Sequence, residues 1–388
     1  MLPPYYSMVE EMRTYKFKLY ESKNNRYLKR TINTSAVIYN HCIALHKRYY
    51  RIFGKYLHPG QLKKHIAKLR KRIDWWKQVG SQAVQDIIER IDRAYVAFFE
   101  RNKKGVRPPK FKKVKKYTSF TLKQVAGFKF LGGNSLKIGK RVYKFAKSRE
   151  IEGKIKTLTI KRDKIGDLFI TVVTDKEAEP GLRFTTGKIA GFDFGLKTFL
   201  TSSDGEEIQS PLFLKKGMRE IKRLNKILSR KREGYGNWNQ ARIALAKAHR
   251  NIANQRRDWF WKLANHLTDR YDYLFFETLN IGAMKKLWGQ KVSDLAFYEF
   301  TKILEWVAKK KGKVVDYIDR WYPSSKTCSC CEHKLEKLPL DVRVWRCPNC
   351  KSVNNRDKNA AINIKRVGAS THGLQLLDQD LEIVRLMA

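Results

Sequence analysis

The chain has 388 residues, and its 82 lysines and arginines against 37 aspartates and glutamates give a formal net charge of +45. Its 42% hydrophobic and 12% aromatic content is typical of folded domains and excludes a disordered basic tail. Five of its six cysteines lie within residues 328–350, and no apolar run approaches the roughly 18 residues that span a bilayer, so we expect an intracellular, soluble protein that binds a polyanion.

The first elements are predicted to be one strand followed by a block of helices. Residues 14–20 alternate polar and apolar side chains like an edge strand. Apolar residues at three- and four-residue spacing then predict a helix that begins after Asn33 or Thr34. Pro59 and Gly60 interrupt it, and Ser81 is a plausible cap for a third helix. We therefore predict a helical domain at 31–102, inserted between residues 1–30 and 103–180.

A strongly basic stretch follows the helices. It contains no acidic residue between positions 103 and 116, and its positive charge is carried by Lys103, Lys104, Arg107, Lys110, Lys112, Lys113, Lys115 and Lys116. A single run of this kind is often a solvated loop, but the charge of the whole chain favours binding to nucleic acid phosphates. Short strands with glycine-containing turns come next, and together with the first strand they predict a small β-barrel.

From Lys188 onward, strands alternate with helices, which indicates an α/β domain over residues 181–388. A short apolar strand contains Asp193, and Asp204–Gly205 predicts a hairpin turn. Two basic helices are expected at about 212–233 and 238–269, then a strand that ends at Glu277 and a helix that starts near Asp294. A last strand leads to a cysteine-rich insertion, and the final helix is predicted to stop at Gly368.

The cysteine-rich insertion, at about 322–353, has the spacing of a zinc site. Two C-x-x-C pairs, separated by fifteen residues, present four thiolates: Cys328, Cys331, Cys347 and Cys350. Cys330 could compete with Cys331, but it would leave only one residue between its sulfur and that of Cys328. Because protein side chains fill all four positions, we expect a structural Zn²⁺ ion in a ribbon hairpin with residues 342–346 as one strand.

Three acids occur where burial is costly for an uncompensated carboxylate: Asp193 within an apolar strand, Glu277 at a strand end and Asp357 at the start of the last helix. Brought together, they could hold two Mg²⁺ ions for phosphodiester cleavage. A strand-end acid is more often a cap or an ion-pair partner, however. The residue types therefore permit such a site without selecting it.

A family resemblance selects it. The segments GFDFGLKTFLTSSDG, FFETLNIGAM and NNRDKNAAINI resemble the three sequence blocks of RuvC-like nuclease domains, and more closely those of the TnpB family of transposon-encoded RNA-guided endonucleases, which are related to type V CRISPR effectors. DRWYPSSKTCSCC…CPNC is similar to the segment that leads into the family's zinc ribbon. The likeness spans about 85–367. It implies that Asp193, Glu277 and Asp357 are the Mg²⁺-binding catalytic acids and that the four cysteines bind zinc.

The resemblance also implies a fold and a mechanism. The fold is multidomain α+β: a wedge-like β-barrel with a helical recognition insertion, then an RNase H-like (RuvC) nuclease domain carrying the zinc ribbon. A guide RNA would pair with double-stranded target DNA beside a short flanking motif, in a prokaryotic cytoplasm. Arginines of the two basic helices suit a channel for the duplex, namely Arg219, Arg223, Arg230, Arg232, Arg250 and Arg257. One departure is Asn355, where the family often has an acid, although asparagine can cap the same helix.

Two other functions stay open from the sequence. A zinc-containing protein that binds nucleic acid without cleaving it would explain the charge and the cysteines but not the three acids. A DNA strand-transfer transposase would use acids in the order Asp, Asp, Glu, whereas the order here is Asp, Glu, Asp. A phosphate-binding loop is excluded because Leu196 separates Gly195 from Lys197.

Overall fold

The computed structural model describes residues 10–101, 105–123, 127–177, 184, 186–279, 282, 286, 289, 292–376 and 383–385. The chain divides into two compact units, Met1–Ala178 and Glu179–Ala388. Within the described ranges, no helix is both long enough and apolar enough to cross a membrane.

The first unit contains two antiparallel sheets. Its strands are β1 (Glu10–Lys18), β2 (Ser119–Leu122), β3 (Phe128–Phe130), β4 (Ser135–Ile138), β5 (Arg141–Lys144), β6 (Lys154–Arg162) and β7 (Leu168–Glu177). One sheet has the order β1-β7-β6-β2 and the other β3-β4-β5. A single bridge, Leu19 to Phe145, links them. The predicted small β-barrel is not closed in the described residues: β1 and β2 remain the two edges of an open four-stranded sheet.

Three helices lie between β1 and β2: α1 (Asn25–Phe53), α2 (Pro59–Arg72) and α3 (Ser81–Arg101). α1 begins eight or more residues before the predicted cap at Asn33 or Thr34. The hydroxyls nearby bond within the helix instead of capping it, since Ser35 Oγ donates to the Thr31 carbonyl at 2.7 Å. Thr34 and Ser35 are buried in the middle of α1, so their polar side chains misled the prediction of its start.

The second unit is built on a five-stranded mixed sheet. Its strands are β8 (Ile189–Phe194), β9 (Thr198–Ser202), β10 (Glu207–Gln209), β11 (Tyr273–Glu277) and β12 (Val314–Ile318), in the order β10-β9-β8-β11-β12. β8, β11 and β12 are parallel, with Phe276 opposite Phe192 and Glu277 opposite Ile318. Parallel central strands are covered on both faces, which explains why β8 and β11 are almost continuously apolar.

Among the described residues, the helices of this unit whose bounds are known are α4 (Phe213–Ser229), α5 (Gly236–Arg270), α6 (Phe297–Lys311) and α7 (Arg356–Thr371). α5 and α6 cover one face, where Phe260 and Phe300 pack in one core with Phe192 and Phe276. α7 covers the other face and packs on β8 and β11.

Two glycines allow α7 to approach the sheet closely. A Cβ atom at Gly191 would lie 2.2 Å from the carbonyl oxygen of Ala361, and one at Gly368 would lie 2.2 Å from Cγ of Phe275. The prediction that Gly368 ends the helix is therefore wrong, since α7 continues to Thr371. This glycine is needed for helix–sheet packing and not for a C-cap.

The cysteine-rich insertion lies between β12 and α7. Its hairpin consists of β13 (Val344–Arg346) and β14 (Val353–Asn355), and its small core contains Trp345, Cys328 and Cys347. A further antiparallel pair, β15 (Leu374–Leu376) and β16 (Ile383–Arg385), follows α7.

Candidate active site

The three predicted acids meet at one edge of the five-stranded sheet. Asp193 is the penultimate residue of β8, and Glu277 is the last residue of β11. Their side chains point to the α7 face, because Phe192, Phe194 and Phe276 occupy the opposite face. Asp357 is the second residue of α7 and reaches the same place because α7 packs against β8 and β11.

The N-terminus of α7 is held by its own cap. The Asn355 side chain accepts hydrogen bonds from the backbone N–H groups of Asp357 and Lys358, each at 3.1 Å. Asn355 therefore does cap the helix, as its sequence position predicts. Asp357 lies in the first turn, where the helix dipole favours a negative charge.

The charges of the three acids act on one another. Burial of the Asp193 carboxyl, reinforced by the negative charges of Glu277 and Asp357, raises its pKa well above the ordinary value. Arg356 and Arg343 oppose this shift without cancelling it. Burial also raises the pKa of Glu277, against a hydrogen bond from Ser324 that lowers it. A buried carboxylate whose pKa is raised by neighbouring carboxylates is typical of functional sites.

Two polar residues of this site were not found by sequence reasoning. Ser324 Oγ donates to Oε2 of Glu277 at 3.1 Å, and Arg343 Nη1 donates to Oδ1 of Asp357 at 3.1 Å. Ser324 lies in the segment between β12 and the first cysteine, and Arg343 lies in the ribbon, just before β13. Both contacts are long-range, so no local pattern pointed to them.

Carboxylate oxygens of these acids can serve as ligands for Mg²⁺, which prefers oxygen. In the part of the chain that the structure describes, however, the three acids do not form a group whose ligand atoms all lie within 4.8 Å of one another, whereas the four cysteines do. The acids therefore line a wider site, with Asp357 directed to Arg343.

The predicted zinc ligands are already close together. The sulfur atoms of Cys328 and Cys350 are 3.7 Å apart, and those of Cys331 and Cys347 are 3.6 Å apart. A tetrahedral site with Zn–S bonds of about 2.3 Å requires sulfur–sulfur distances of about 3.8 Å, so the four thiols fit this ion. Cys330 is exposed and lies outside the group.

The first knuckle also has the hydrogen bonds that stabilise thiolates. Burial alone would raise the pKa of Cys328, but hydrogen bonds from the Ser352 hydroxyl and from the backbone N–H groups of Cys331 and Cys330 lower it to about 5. A thiolate at neutral pH is the form that binds zinc. The chemistry of this donor set therefore agrees with its geometry.

The two sites are joined through α7. The Asn359 and Asn363 side chains donate to the carbonyl of Thr327 at 2.7 and 2.6 Å, and Asn363 donates to the carbonyl of Ser324 at 2.9 Å. Ser324 is the residue that contacts Glu277. The helix that carries Asp357 thus holds both the cysteine knuckle and the loop that orients a second acid.

The backbone of the basic stretch after α3 is held in place by hydrogen bonds from α1. Of the lysines predicted to bind nucleic acid, Lys103 and Lys104 lie outside the described residues. The side chain of Asn40 bonds the carbonyl and the N–H of Lys112 at 2.8 and 2.9 Å. The predicted side chains that the structure describes there are all exposed: Arg107, Lys110, Lys112, Lys113, Lys115 and Lys116. We call residues 105–117 the basic strap.

The predicted arginines of the two basic helices have diverse surroundings. α4 ends at Ser229, before the predicted residue 233, so Arg230 and Arg232 lie between α4 and α5. Arg230 and Arg232 are exposed, and Arg250 is half-buried. Arg257 donates to Oε1 of Glu299 at 2.7 Å, and Arg256 donates to Oε2 of the same carboxylate at 3.1 Å. Part of the Arg257 charge is therefore compensated within the protein. Arg223 is likewise paired, with Glu220 at 2.7 Å, whereas Arg219 is exposed.

Comparison with known proteins adds independent information. A family model described as "Probable transposase" (OrfB_IS605) matches residues 172–287, and the Cas12f1-like TNB domain model matches residues 297–364. Between them, these matches contain the three acids and the four cysteines. A protein of Streptomyces pristinaespiralis, provisionally named an RNA-guided DNA endonuclease, is 27% identical over 372 residues, which cover 93% of this chain and 90% of the relative.

A TnpB-like protein, L79 of Acanthamoeba polyphaga mimivirus, is 30% identical over 198 residues, covering 46% of this chain and 37% of the viral protein. The chain is thus similar to RNA-guided DNA endonucleases over most of its length and to TnpB-like proteins over part of it. Its fold is shared with the protein of a Cas12f1–sgRNA–target DNA complex, at a TM-score of 0.55 and 14% identity over 92% of this chain and 99% of that one. The likeness to Cas12f1 supports the mixed α/β architecture alone.

Proposed function

We propose that this chain is an RNA-guided DNA endonuclease. A guide RNA pairs with the target DNA beside a short flanking motif, and the site formed by Asp193, Glu277 and Asp357 hydrolyses phosphodiester bonds. The observation that carries the hydrolytic part is the meeting of three carboxylates from β8, β11 and α7 at one sheet edge. The name of the Streptomyces relative, which aligns over 93% of this chain, supports the guided reaction.

The acids would hold Mg²⁺. When bound, a pair of such ions activates a water molecule and stabilises the charge on the leaving oxygen. Burial and the negative charges of Glu277 and Asp357 raise the pKa of Asp193, and burial raises the pKa of Glu277. Divalent cations would relieve that repulsion, which makes this part of the surface selective for positive ions.

The chain's own residues set the geometry of the site. Ser324 orients one carboxylate oxygen of Glu277, and the cap at Asn355 fixes the first turn of α7. Arg343 holds Asp357 on the side of the ribbon. We propose that the four cysteines bind a structural Zn²⁺ ion, which stabilises the ribbon that supplies Arg343.

The basic strap would bind the phosphate backbone of the nucleic acid. Its backbone is held on α1 by hydrogen bonds from Asn40, so this part of the strap does not have to be ordered on binding. Release of counterions from the nucleic acid then drives association and makes it salt-dependent. We propose the same role for Arg230 and Arg232, whose side chains are exposed.

The test is cleavage of a plasmid by the full-length protein, reconstituted with the RNA that co-purifies with it and with Mg²⁺. We expect wild type to cleave and Asp193→Ala to bind RNA and DNA without cleaving. Glu207→Gln, at an exposed acid on β10 of the same sheet, is the matched control and should cleave normally.

Three results would overturn the proposal. Equal cleavage by wild type and Asp193→Ala would show that the site lies elsewhere. Joined transposon ends in place of hydrolysed products would identify a strand-transfer transposase, the activity that the description of the OrfB_IS605 model suggests. Nucleic acid binding without cleavage by wild type would leave a zinc-containing binding protein.

A further inference from the structure

Trp321 is unusually exposed. Its side chain is 77% accessible to solvent, which is more than for any other large hydrophobic side chain in the described part of the second unit. Burying an aromatic side chain stabilises a fold by about 1.5–3 kcal/mol, a gain that this residue does not contribute. A single exposed apolar residue is ordinary on a protein surface, so its position and surroundings have to decide what it does.

The backbone around Trp321 is held in a defined turn. The N–H of Trp321 donates to Oδ1 of Asp319 at 2.7 Å, and the N–H of Tyr322 donates to the carbonyl of Asp319 at 3.1 Å. The guanidinium of Arg320 lies over the indole ring, 4.6 Å from its centroid. The ring is therefore presented to solvent on an ordered turn, next to a positive charge.

This turn lies at the sheet edge where the acids meet. It directly follows β12, whose last residue, Ile318, is opposite Glu277 and accepts hydrogen bonds from Thr278. Three residues beyond Trp321, Ser324 donates to Glu277. Since a residue spans at most about 3.6 Å, the Cα of Trp321 lies within about 11 Å of the Cα of Ser324.

Trp321 is exposed, lies on an ordered turn close to the acids and has a guanidinium beside it. These properties together fit one class of ligand. An accessible indole can stack on the face of any base, and a guanidinium adds attraction for the strand that carries it. We propose that Trp321 is a stacking platform for a base of the single DNA strand whose phosphodiester bond lies at the acid site. This proposal rests on the proposed nuclease function and adds a substrate-binding residue to it.

The test measures binding separately from cleavage. All variants are made in full-length protein that carries Asp193→Asn, and the probe is a short single-stranded DNA containing 2-aminopurine, whose fluorescence is quenched by stacking. Base–aromatic stacking is worth about 1–3 kcal/mol per base, so Trp321→Ala should weaken binding by about 5- to 150-fold and abolish the quenching.

Two further substitutions separate stacking from bulk. Trp321→Phe keeps an aromatic face and should keep most of the affinity, whereas Trp321→Leu keeps apolar volume alone and should behave like Trp321→Ala. Trp75→Ala, at an exposed tryptophan of the first unit, is the control for removing an indole and should leave binding unchanged. Melting temperatures of all variants are compared, because an exposed side chain should contribute little to stability.

Equal affinity of Trp321→Ala and the parent, or equal affinity of the leucine and phenylalanine variants, would overturn the proposal. Loss of guide-RNA binding with unchanged binding of single-stranded DNA would assign the platform to RNA instead. Because the cleavage assay of Asp193→Ala does not involve Trp321, failure of the nuclease function and failure of this inference give different results.

Discussion

At the scale of single residues, Asp193 illustrates how a functional site costs stability. Its pKa is raised because its carboxylate is buried near the charges of Glu277 and Asp357. A group that binds its proton more tightly in the folded than in the unfolded protein stabilises the fold at low pH. That contribution is lost as the pH rises above the ordinary value of 3.8 and through the raised pKa.

We therefore expect Asp193→Asn to be more stable than wild type when metal is chelated at pH 7. The gain should be on the order of 1 kcal/mol, or about 2–4 °C in melting temperature. The difference should shrink as the pH falls through the raised pKa of Asp193 and towards pH 4. Thermal melts of both proteins in a chelator across this pH range provide the measurement, and a lower melting temperature for Asp193→Asn at pH 7 would contradict the expectation.

Ser324 is expected to affect the pH dependence of cleavage. Its hydrogen bond lowers the pKa of Glu277, so Ser324→Ala should raise that pKa further. Because metal binding needs the ionised carboxylate, the acidic limb of the cleavage profile should move to higher pH. Cleavage rates between pH 5 and 9 test this.

The adjacent Ser325→Ala provides a matched control for that profile. The acidic limb of the cleavage profile of Ser325→Ala should coincide with that of wild type. If both serine variants shift equally, the effect comes from the loop as a whole and not from the hydrogen bond to Glu277.

At the scale of elements, α7 can lie close to the sheet because Gly191 and Gly368 have no side chain at the interface. Gly368→Ala would place a methyl group 2.2 Å from Cγ of Phe275, a buried ring that cannot easily move. Overpacking of this kind costs about 1–3 kcal/mol or more. We expect a melting temperature lower by about 5 °C and slower cleavage, since the shift would displace Asp357.

Gly236→Ala is the corresponding control, because no atom lies within 4 Å of a Cβ at that position in the first turn of α5. It should leave the melting temperature unchanged or raise it slightly. Equal melting temperatures of Gly368→Ala and Gly236→Ala would contradict the close packing of α7 on β11.

The ribbon is expected to depend on its metal. Zinc chelation or Cys331→Ser should lower the melting temperature and slow cleavage, because the knuckle is bonded to α7 through Asn359 and Asn363. Metal content, measured by mass spectrometry, should be one zinc per chain in wild type. Cys330→Ser removes the exposed neighbouring thiol and should keep both the zinc and the stability. Loss of zinc in this control would contradict the choice of Cys331 as the ligand.

At the scale of the whole molecule, the charge of +45 makes association with nucleic acid strongly dependent on salt. Replacing Lys113, Lys115 and Lys116 of the basic strap with alanine should weaken RNA binding. It should also reduce the slope of log K against log salt by about 2, since each contact with a single-stranded phosphate contributes about 0.7. Filter binding from 50 to 400 mM salt measures the slope.

Triple replacement of Lys137, Lys140 and Lys144 removes the same charge from exposed positions of the same unit. Its slope should change less than that of the strap variant. Equal changes in the two triple variants would mean that net charge, and not the strap, determines the affinity.

Several features of the molecule could be predicted from local patterns. The strand that contains Asp193 and the strand that ends at Glu277 were recognised because they are short, apolar and each carries one acid. The spacing of the four cysteines predicted a group that the folded chain indeed brings within 4.8 Å. These signals need only neighbouring residues, whose periodicity and spacing reflect local geometry.

Other features depend on contacts between residues far apart in the chain. Ser324 meets Glu277 across 47 positions, and Arg257 is paired with Glu299 across 42. The open sheet in place of a barrel, and the continuation of α7 through Gly368, were likewise decided by packing. Strand and helix patterns state which face of an element is buried, but not which element covers it. The partners of a polar side chain, and the space left beside a glycine, exist only once the elements have been assembled.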